Sequence, residues 1–380
     1  MKKTMHLFGI ILISLVTLMH IYVFWRAGSV PVISQYLPKS IIILLGATAW
    51  TIFLTGLVYG HGSTGTLARF LDAVAMNWMG ILFLMLVCLL AVDLLTGFGY
   101  LLPGLAGRLR GLALLTGLIL SAAAFWQGTR PPVVVHYPVA IDDLPAAMEG
   151  TVLVALSDLH INSHRQGQWL NEIVDRVHSL EPDLVVLLGD ILEGHGEDRG
   201  PSGRKIRAIL NRLTAPLGVW AVLGNHEFYG GLHKNRALNQ ATGLRWLRNS
   251  WVEPRPGLIL AGVDDLTVNR QPEEKKRLLR QTLRGRPAGA VTVLLSHTPD
   301  GISTVRRSGV DLMLCGHTHG GQIWPFGYLV KLRYPFLKGL YEAGATKIIV
   351  STGTGTWGPR LRLWRPNEIL RITLHHQDVE

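Results

Sequence analysis

Five short segments in the second half of this chain carry side chains that bind divalent cations: Asp158-Leu159-His160, Gly189-Asp190, Gly224-Asn225-His226-Glu227, Ser296-His297 and Gly316-His317-Thr318-His319. Carboxylates, a carboxamide and imidazoles together suit a hydrolytic site with two cations about 3.5 to 4 Å apart, which clamp the attacking and leaving oxygens of a phosphate ester. One carboxylate must bridge such a pair. Asp190 suits that role because it ends an apolar, β-branched run and follows Gly189, which permits close backbone approach. Asp158 and His160 point to the same side by period-two alternation, so both suit one cation. Asn225 offers a neutral carbonyl oxygen. Imidazoles beside carboxylates favour manganese, iron or zinc over magnesium or calcium, which prefer all-oxygen shells.

The elements that must position these residues are strands. Apolar runs of strand length occupy 151–157, 183–189, 217–223 and 290–296, ahead of Asp158, Asp190, Asn225 and His297 respectively, and the fifth segment also closes a predicted strand. Sites of α/β folds gather beyond the carboxyl ends of strands. Taken singly, an Asp-x-His or a Gly-Asn-His is as readily an ordinary strand-to-loop turn; the joint occurrence carries the metal reading.

The series Ser157-Asp-Leu-His160, Gly189-Asp190, Gly224-Asn-His-Glu227, His297 and Gly316-His-Thr-His-Gly-Gly-Gln322 resembles the calcineurin-like metallophosphoesterase superfamily over residues 150–375. The tail Ser351-Thr-Gly-Thr-Gly-Thr-Trp-Gly-Pro359 is similar to a bacterial, often membrane-attached branch. The resemblance implies a four-layer α/β/β/α sandwich with its site at one edge of the sheets. It also implies one metal held by Asp158, His160, Asp190 and His319, and a second by Asp190, Asn225, His297 and His317. His226 would not be a ligand but would stabilise the transition state or protonate the leaving oxygen. Glu193 stands where the branch commonly has Asp, and no ligand depends on it.

Two cations, most simply Mn2+, lower the pKa of a water enough to supply hydroxide near neutral pH and neutralise phosphoryl oxygens during in-line attack. No Gly-x-Ser-x-Gly motif offers a covalent nucleophile, so direct attack on phosphorus is expected.

The front of the chain is different material. Residues 1–130 hold four long apolar stretches, near 6–25, 40–60, 75–101 and 111–127, each long enough to cross a hydrocarbon core of roughly 30 Å as a helix. Lys2-Lys3 followed by an apolar run also fits a signal peptide, but no small-residue cleavage site is clear and three more spans follow. Asp93, near the end of the third span, is either a functional intramembrane carboxylate or one that reaches the interface. Residues 131–150, with Pro131-Pro132, Pro138 and Pro145, read as an extended connector into a catalytic domain at 151–380.

Residues 1–130 carry eight Lys or Arg and two Asp, net +6, leaving 29 basic and 24 acidic residues, net +5, for the remainder. A nucleic-acid enzyme would concentrate basic charge on its catalytic part, so no nucleic-acid partner is expected. With four spans both ends of the membrane region face one side. Lys2, Lys3, Arg69 and Arg130 lie there, against Arg26, Lys39, Arg108 and Arg110 on the other. This tie is tipped by the first helix toward a cytoplasmic catalytic domain on a bacterial inner membrane. Cys88 and Cys315 stand too far apart in environment to suggest a disulfide, and Cys315 reads as a small buried strand residue.

Several features bear on the substrate. Trp324 and Phe326 could seat a lipid tail or pack into the core, and Arg360, Arg362 and Arg365, interleaved with Trp357 and Trp364, could meet phosphates or form a half-exposed strand. Tyr229 with Gly230-Gly231 could form a lip over the site or start a helix, and Asp264-Asp265 fit a turn better than metal ligation. Four spans on a phosphoesterase imply a substrate, product or partner in the bilayer. The expected substrate is therefore an amphiphilic phosphodiester or pyrophosphate, for example of the UDP-2,3-diacylglucosamine type. Anchored hydrolysis of soluble nucleotides, and a sensor or scaffold with a structural metal site, are the alternatives.

Overall fold

The structure, a computed structural model, describes residues 2–60, 65–142, 144–161, 167–193, 200–229, 243–268 and 271–376. The chain divides into two units, Met1–Thr129 with Gly358–Trp364, and Arg130–Trp357 with Arg365–Glu380.

In the first unit the four expected spans are helices: α1 (Lys2–Ala27), then after the short α2 (Pro31–Tyr36) α3 (Lys39–Thr55), α4 (Thr66–Leu95) and α5 (Pro103–Thr129). Long enough and apolar enough to cross a membrane are Gly9–Ala27, Lys39–Gly60, Thr66–Leu95 and Pro103–Thr129. The third begins nine residues before the expected stretch, because a helix does not stop where Arg69 and Asp72 interrupt the apolar run. It ends at Leu95 rather than 101, since Gly97 and Phe98 take positive φ there. The fourth starts at 103 rather than 111, with Pro103 at its first position, where a missing N–H costs nothing. Val16, Met19, Phe53, Leu82, Met85 and Leu89 form its buried core. Polar cross-links add to it, Trp78 Nε1 donating to His20 (2.7 Å) and Trp50 Nε1 to Thr17 (2.9 Å).

The segment Gly358–Trp364 belongs to this helical unit. It does not form the strand that alternating Arg and Trp suggested. Its backbone N–H groups donate elsewhere, Arg360 to Asn77 Oδ1 (2.9 Å), Arg362 to Ala124 O (2.8 Å) and Trp364 to Gln127 Oε1 (2.9 Å).

The second unit holds two six-stranded sheets. The first runs β1 (Val133–Ile141), β12 (Glu368–His376), β2 (Val152–Leu156), β3 (Leu184–Leu187), β4 (Val219–Ala221), β5 (Arg245–Trp246). The second runs β10 (Gly339–Ala343), β11 (Thr346–Val350), β9 (Leu312–Cys315), β8 (Val291–Ser296), β7 (Leu258–Val263), β6 (Ser250–Arg255). Strands β2 to β5 are mutually parallel, as are β7, β8, β9 and β11. The stretch expected as a connector is thus largely sheet: Val133–Ile141 pairs in parallel with β12 along its whole length. Nothing near it in sequence announced that pairing.

Alternation sorts the strand residues into layers. Leu153, Ala155, Leu184 and Val186 meet Leu258, Leu260, Val293 and Leu314 of the other sheet in one core. Their neighbours Val154, Leu156, Val185 and Leu187 face outward, onto Ile173 and Val177 of α6 (Gln168–His178) and Ile206 and Leu210 of α7 (Gly200–Leu210). On the opposite side Val263, Leu294, Met313 and Val350 pack on Leu279 of α9 (Pro272–Thr282) and Val305 of α10 (Ile302–Arg307). The result is the expected α/β/β/α sandwich. Two short helices complete the unit, α8 (Asn225–Tyr229) after β4 and α11 (Gly327–Arg333) before β10.

Candidate metal centre

Each ligand candidate begins where a strand ladder stops. Asp158 follows β2, Asp190 follows β3, Asn225 opens α8 after β4, and His297 and His317 follow β8 and β9. Asp158, His160, Asp190, His317 and His319 all have φ between 43° and 70°, the left-handed region that non-glycine residues seldom occupy. Each such residue costs of order 1 to 3 kcal/mol, and the surrounding structure must impose it. Glu227 supplies much of that constraint. Its buried carboxylate accepts from the backbone N–H of Asp190 (2.9 Å), Ile191 (2.8 Å), Leu192 (3.3 Å) and Gly224 (2.7 Å). The two loops so joined run close together: a Cβ on Gly189 would stand 2.5 Å from Gly224 N, and one on Gly224 would stand 2.2 Å from Asp190 Oδ1.

The side chains converge on two neighbouring points. His160 Nε2 and His319 Nε2 lie 3.2 Å apart, with Asp158 Oδ1 3.4 Å from His319 and Asp190 Oδ2 3.7 Å from His160. At the second point Asn225 Oδ1 lies 2.9 Å from His317 Nδ1 and 3.1 Å from His297 Nε2, and Asp190 Oδ2 lies 3.2 Å from the same His297 nitrogen. One oxygen of Asp190 therefore reaches both points, while its Oδ1 accepts the His226 N–H (2.9 Å). Ring nitrogens and oxygens aimed at one another bring lone pairs together, an arrangement that cations relieve. Asp158, His160 and His319 form one group able to hold a metal ion, and Asp158, Asp190 and His297 another.

The comparisons with known proteins agree with this geometry. Residues 151–321 match the family description calcineurin-like phosphoesterase. A protein named uncharacterized metallophosphoesterase from Aquifex aeolicus is 34% identical over 63% of this chain and 90% of its own length. The chain belongs to the calcineurin-like phosphoesterase family. Another relative, of the same description, from Helicobacter pylori is 34% identical over 66% of each chain. A Bos taurus transmembrane protein with metallophosphoesterase domain is 30% identical over 69% of this chain and 62% of its own. The chain thus spans just under two thirds of the length of these last two relatives.

Within this phosphoesterase domain, groups behind the converging atoms set their orientation. His297 Nδ1 meets Leu188 O (2.8 Å), which leaves Nε2 for the centre. Glu193 Oε1 lies 3.1 Å from His160 Nδ1, so this carboxylate reaches the ring. Tyr334 Oη lies 3.1 Å from His317 Nε2. Burial works against charge on Asp190, yet the imidazoles around it, His297 foremost, hold its carboxyl well below the usual range. Burial likewise opposes a proton on His297, but Asp190 raises its pKa well above the usual value. His317 goes the other way, to about 3, through burial and the neighbouring His297 charge. Burial and the Asp190 charge push Glu227 up to about 7, against its N–H donors.

All eight residues singled out by sequence come together here. His226 stands beside the centre, half-buried, with its ring against His160 (centroids 4.8 Å apart), Tyr229 (5.5 Å) and Trp357 (6.3 Å) and its Nε2 4.0 Å from Asp190. Asp264 is engaged by Arg248 and Asn249, and Asp265 holds the Thr267 N–H, so both serve turns. Cys315 is a buried β9 residue, as expected. Gly230 and Gly231 of the suggested lip lie outside the described residues. Sequence reasoning missed the roles of Glu227 and Tyr334; for the first, the available signal was a carboxylate two residues after Asn225 in the same segment.

Proposed function

We propose that the protein is a membrane-integral dimetal phosphohydrolase that cleaves a phosphodiester or pyrophosphate of an amphiphile. Asp158, His160, Asp190 and His319 would hold one cation, and Asp190, Asn225, His297 and His317 the other. Mixed nitrogen and oxygen donors favour Mn2+, with iron or zinc also compatible. When bound, such a pair supplies a nucleophile at neutral pH and offsets negative charge on the phosphoryl oxygens. The chain's own residues do the remainder. Glu227 fixes the Asp190 and Asn225 loops, Glu193, Leu188 and Tyr334 orient the imidazoles, and His226 donates a proton to the departing oxygen or stabilises its charge.

The observation that carries the amphiphile reading is the apolar rim of the site. Tyr229 and Trp357, whose rings approach His226, are exposed, and so are Phe326, Tyr328, Leu329 and Leu332 on and beside α11, the helix that follows His319. Exposed aromatic and aliphatic side chains mixed with Lys331 and Arg333 suit a surface that receives acyl chains beside charged headgroups. Phe326, at 44% exposed, presents part of its ring at the surface, which suits contact with a lipid tail.

The charge pattern supports a cytoplasmic catalytic domain on a bacterial inner membrane. Loop cations are four on each face, Arg26, Lys39, Arg108 and Arg110 against Lys2, Lys3, Arg69 and Arg130, and the Lys2-Lys3 pair at the start of the first helix favours its own side as cytoplasmic. The test is hydrolysis by full-length, detergent-purified protein with Mn2+, offered UDP-2,3-diacylglucosamine and water-soluble phosphodiesters in parallel. Profiling of lipid extracts before and after treatment, with Asp190→Asn as control, identifies the class without a prior choice of compound. Cleavage of soluble diesters alone would sink the amphiphile reading, and metal binding without hydrolysis of any ester would favour a sensor.

A further inference from the structure

The helical unit contains a second built polar site. Asp93, fully buried near the end of α4, accepts Arg110 Nε at Oδ1 (2.8 Å), while its Oδ2 accepts the Tyr22 hydroxyl and lies 2.6 Å from Arg26 Nε. Two guanidiniums therefore share one carboxylate, and both are nearly buried, at 6% and 7% exposed. The other acid of this region, Asp72, lies 21 residues earlier on α4, about 31 Å along the helix, too far to balance the surplus. Arg110 itself has donors to spare. Of its five N–H groups, Asp93, Ser29 Oγ (3.3 Å) and the Phe98 carbonyl (2.9 Å) take three.

Arg110 lines a cavity of about 520 Å³, with Arg108, Ser29, Phe98, Gly99 and Gly104 among its walls. That is the size of a small-ligand pocket, and its charged groups are all cationic. Its depth is informative. Arg110 stands seven residues into α5, about 10 Å from the helix start, and a 27-residue helix of about 40 Å, centred on a hydrocarbon core of roughly 30 Å, projects about 5 Å at each end, which puts Arg110 within about 5 Å of the core's edge. Arg26 and Asp93 are likewise one or two residues from the ends of their helices. The cavity therefore lies close to headgroup level, and Tyr100 in its wall is exposed.

We propose that this cavity binds a phosphate anion, with Arg110 as its buried donor and Arg108 at its rim, and that a phospholipid headgroup is the source its depth favours. A structural bolt of three charged groups would account for the helix contacts, but it would leave both the excess charge and the adjoining cavity unexplained.

The experiment is a thermal-unfolding titration of the full-length protein in a neutral detergent, with phosphatidylglycerol, phosphatidylcholine and inorganic phosphate as separate probes. Phosphatidylglycerol should raise the midpoint saturably, phosphatidylcholine should do much less, and Arg108→Gln should weaken the apparent phosphatidylglycerol affinity about tenfold. Gly104→Trp should fill the cavity and remove the response while leaving the lipid-free midpoint in place, because a Cβ at that position meets no atom within 4 Å. If inorganic phosphate alone reproduces the whole shift, the site stands and its anion is soluble. Absence of a response to either anion, or a phosphatidylglycerol response unchanged in both variants, would overturn the proposal.

Discussion

Asp190 and Asp93 are both buried carboxylates, 2% and 0% exposed, yet they stand in opposite surroundings. Around Asp190 the nearest side-chain atoms are other acceptors or ring nitrogens, converging from loops that end five strands. Around Asp93 they are donors, two guanidiniums and a hydroxyl, brought by helices. Low dielectric magnifies either imbalance. A surplus of lone pairs is relieved by cations and a surplus of N–H groups by anions, so the same residue type marks two sites of opposite preference. The backbone differs in the same sense: the catalytic loops hold five ligand candidates at strained positive φ, whereas Asp93, Arg26 and Arg110 sit on regular helix.

The largest effect should come from Asp190→Asn, which removes charge from the one oxygen shared by both points. Turnover per molecule should fall about 10⁴-fold, the several kcal/mol that cations contribute at a phosphoryl transition state, and bound metal should fall with it. Retained metal and activity would dissolve the contrast with Asp93. Next is His226→Ala. If the half-buried ring acts as proton donor rather than ligand, kcat drops about 10²- to 10³-fold while metal content stays at the parent level. Loss of metal instead would move His226 into the ligand set.

Much of the catalytic side was legible because its signals are local. Each ligand candidate follows an apolar run of strand length, and alternation along 152–156 and 184–187 already divides inward from outward residues. What could not be read is what depends on distant backbone. Glu227 acts on N–H groups about 36 residues away, β1 pairs with a strand more than 200 residues later, and Gly358–Trp364 takes partners from α4 and α5. On the membrane side Asp93 was visible as an intramembrane acid, but Arg26 and Arg110 counted only as loop charges. Their pairing needs three helix ends to meet, 67 and 17 residues from Asp93 in sequence, which hydropathy does not encode.

Asp93→Asn tests that donor-rich side with the same chemical change used at Asp190. Here the loss leaves two buried guanidiniums facing a neutral amide, so it should appear in folding: about 3 kcal/mol of stability, read as a lower thermal midpoint of the full-length protein in detergent. An unchanged midpoint would mean that water or counter-ions already reach the arginines, and the cluster would no longer be the counterpart of the catalytic one.

Asp300 gives the smallest effect and the control for both clusters, because solvent reaches it. Its carboxylate meets Lys275 Nζ (2.7 Å), the Gly301 N–H (2.8 Å) and Arg333 (3.3 Å), with the carboxyl side chain 23% exposed. Burial alone would raise its pKa, but these partners, Lys275 first, bring it below the ordinary 3.8. A depressed folded-state value means that the charged form contributes stability above 3.8, and that the contribution is lost as pH falls through the lowered value. Asp300→Asn should therefore cost about 0.5 to 1 kcal/mol at neutral pH, and its difference from the parent should shrink toward zero as acidification passes the lowered value. A larger, pH-independent loss would show that the pair acts through packing, and then exposure would not be what separates weak ion pairs in this chain from the two buried clusters.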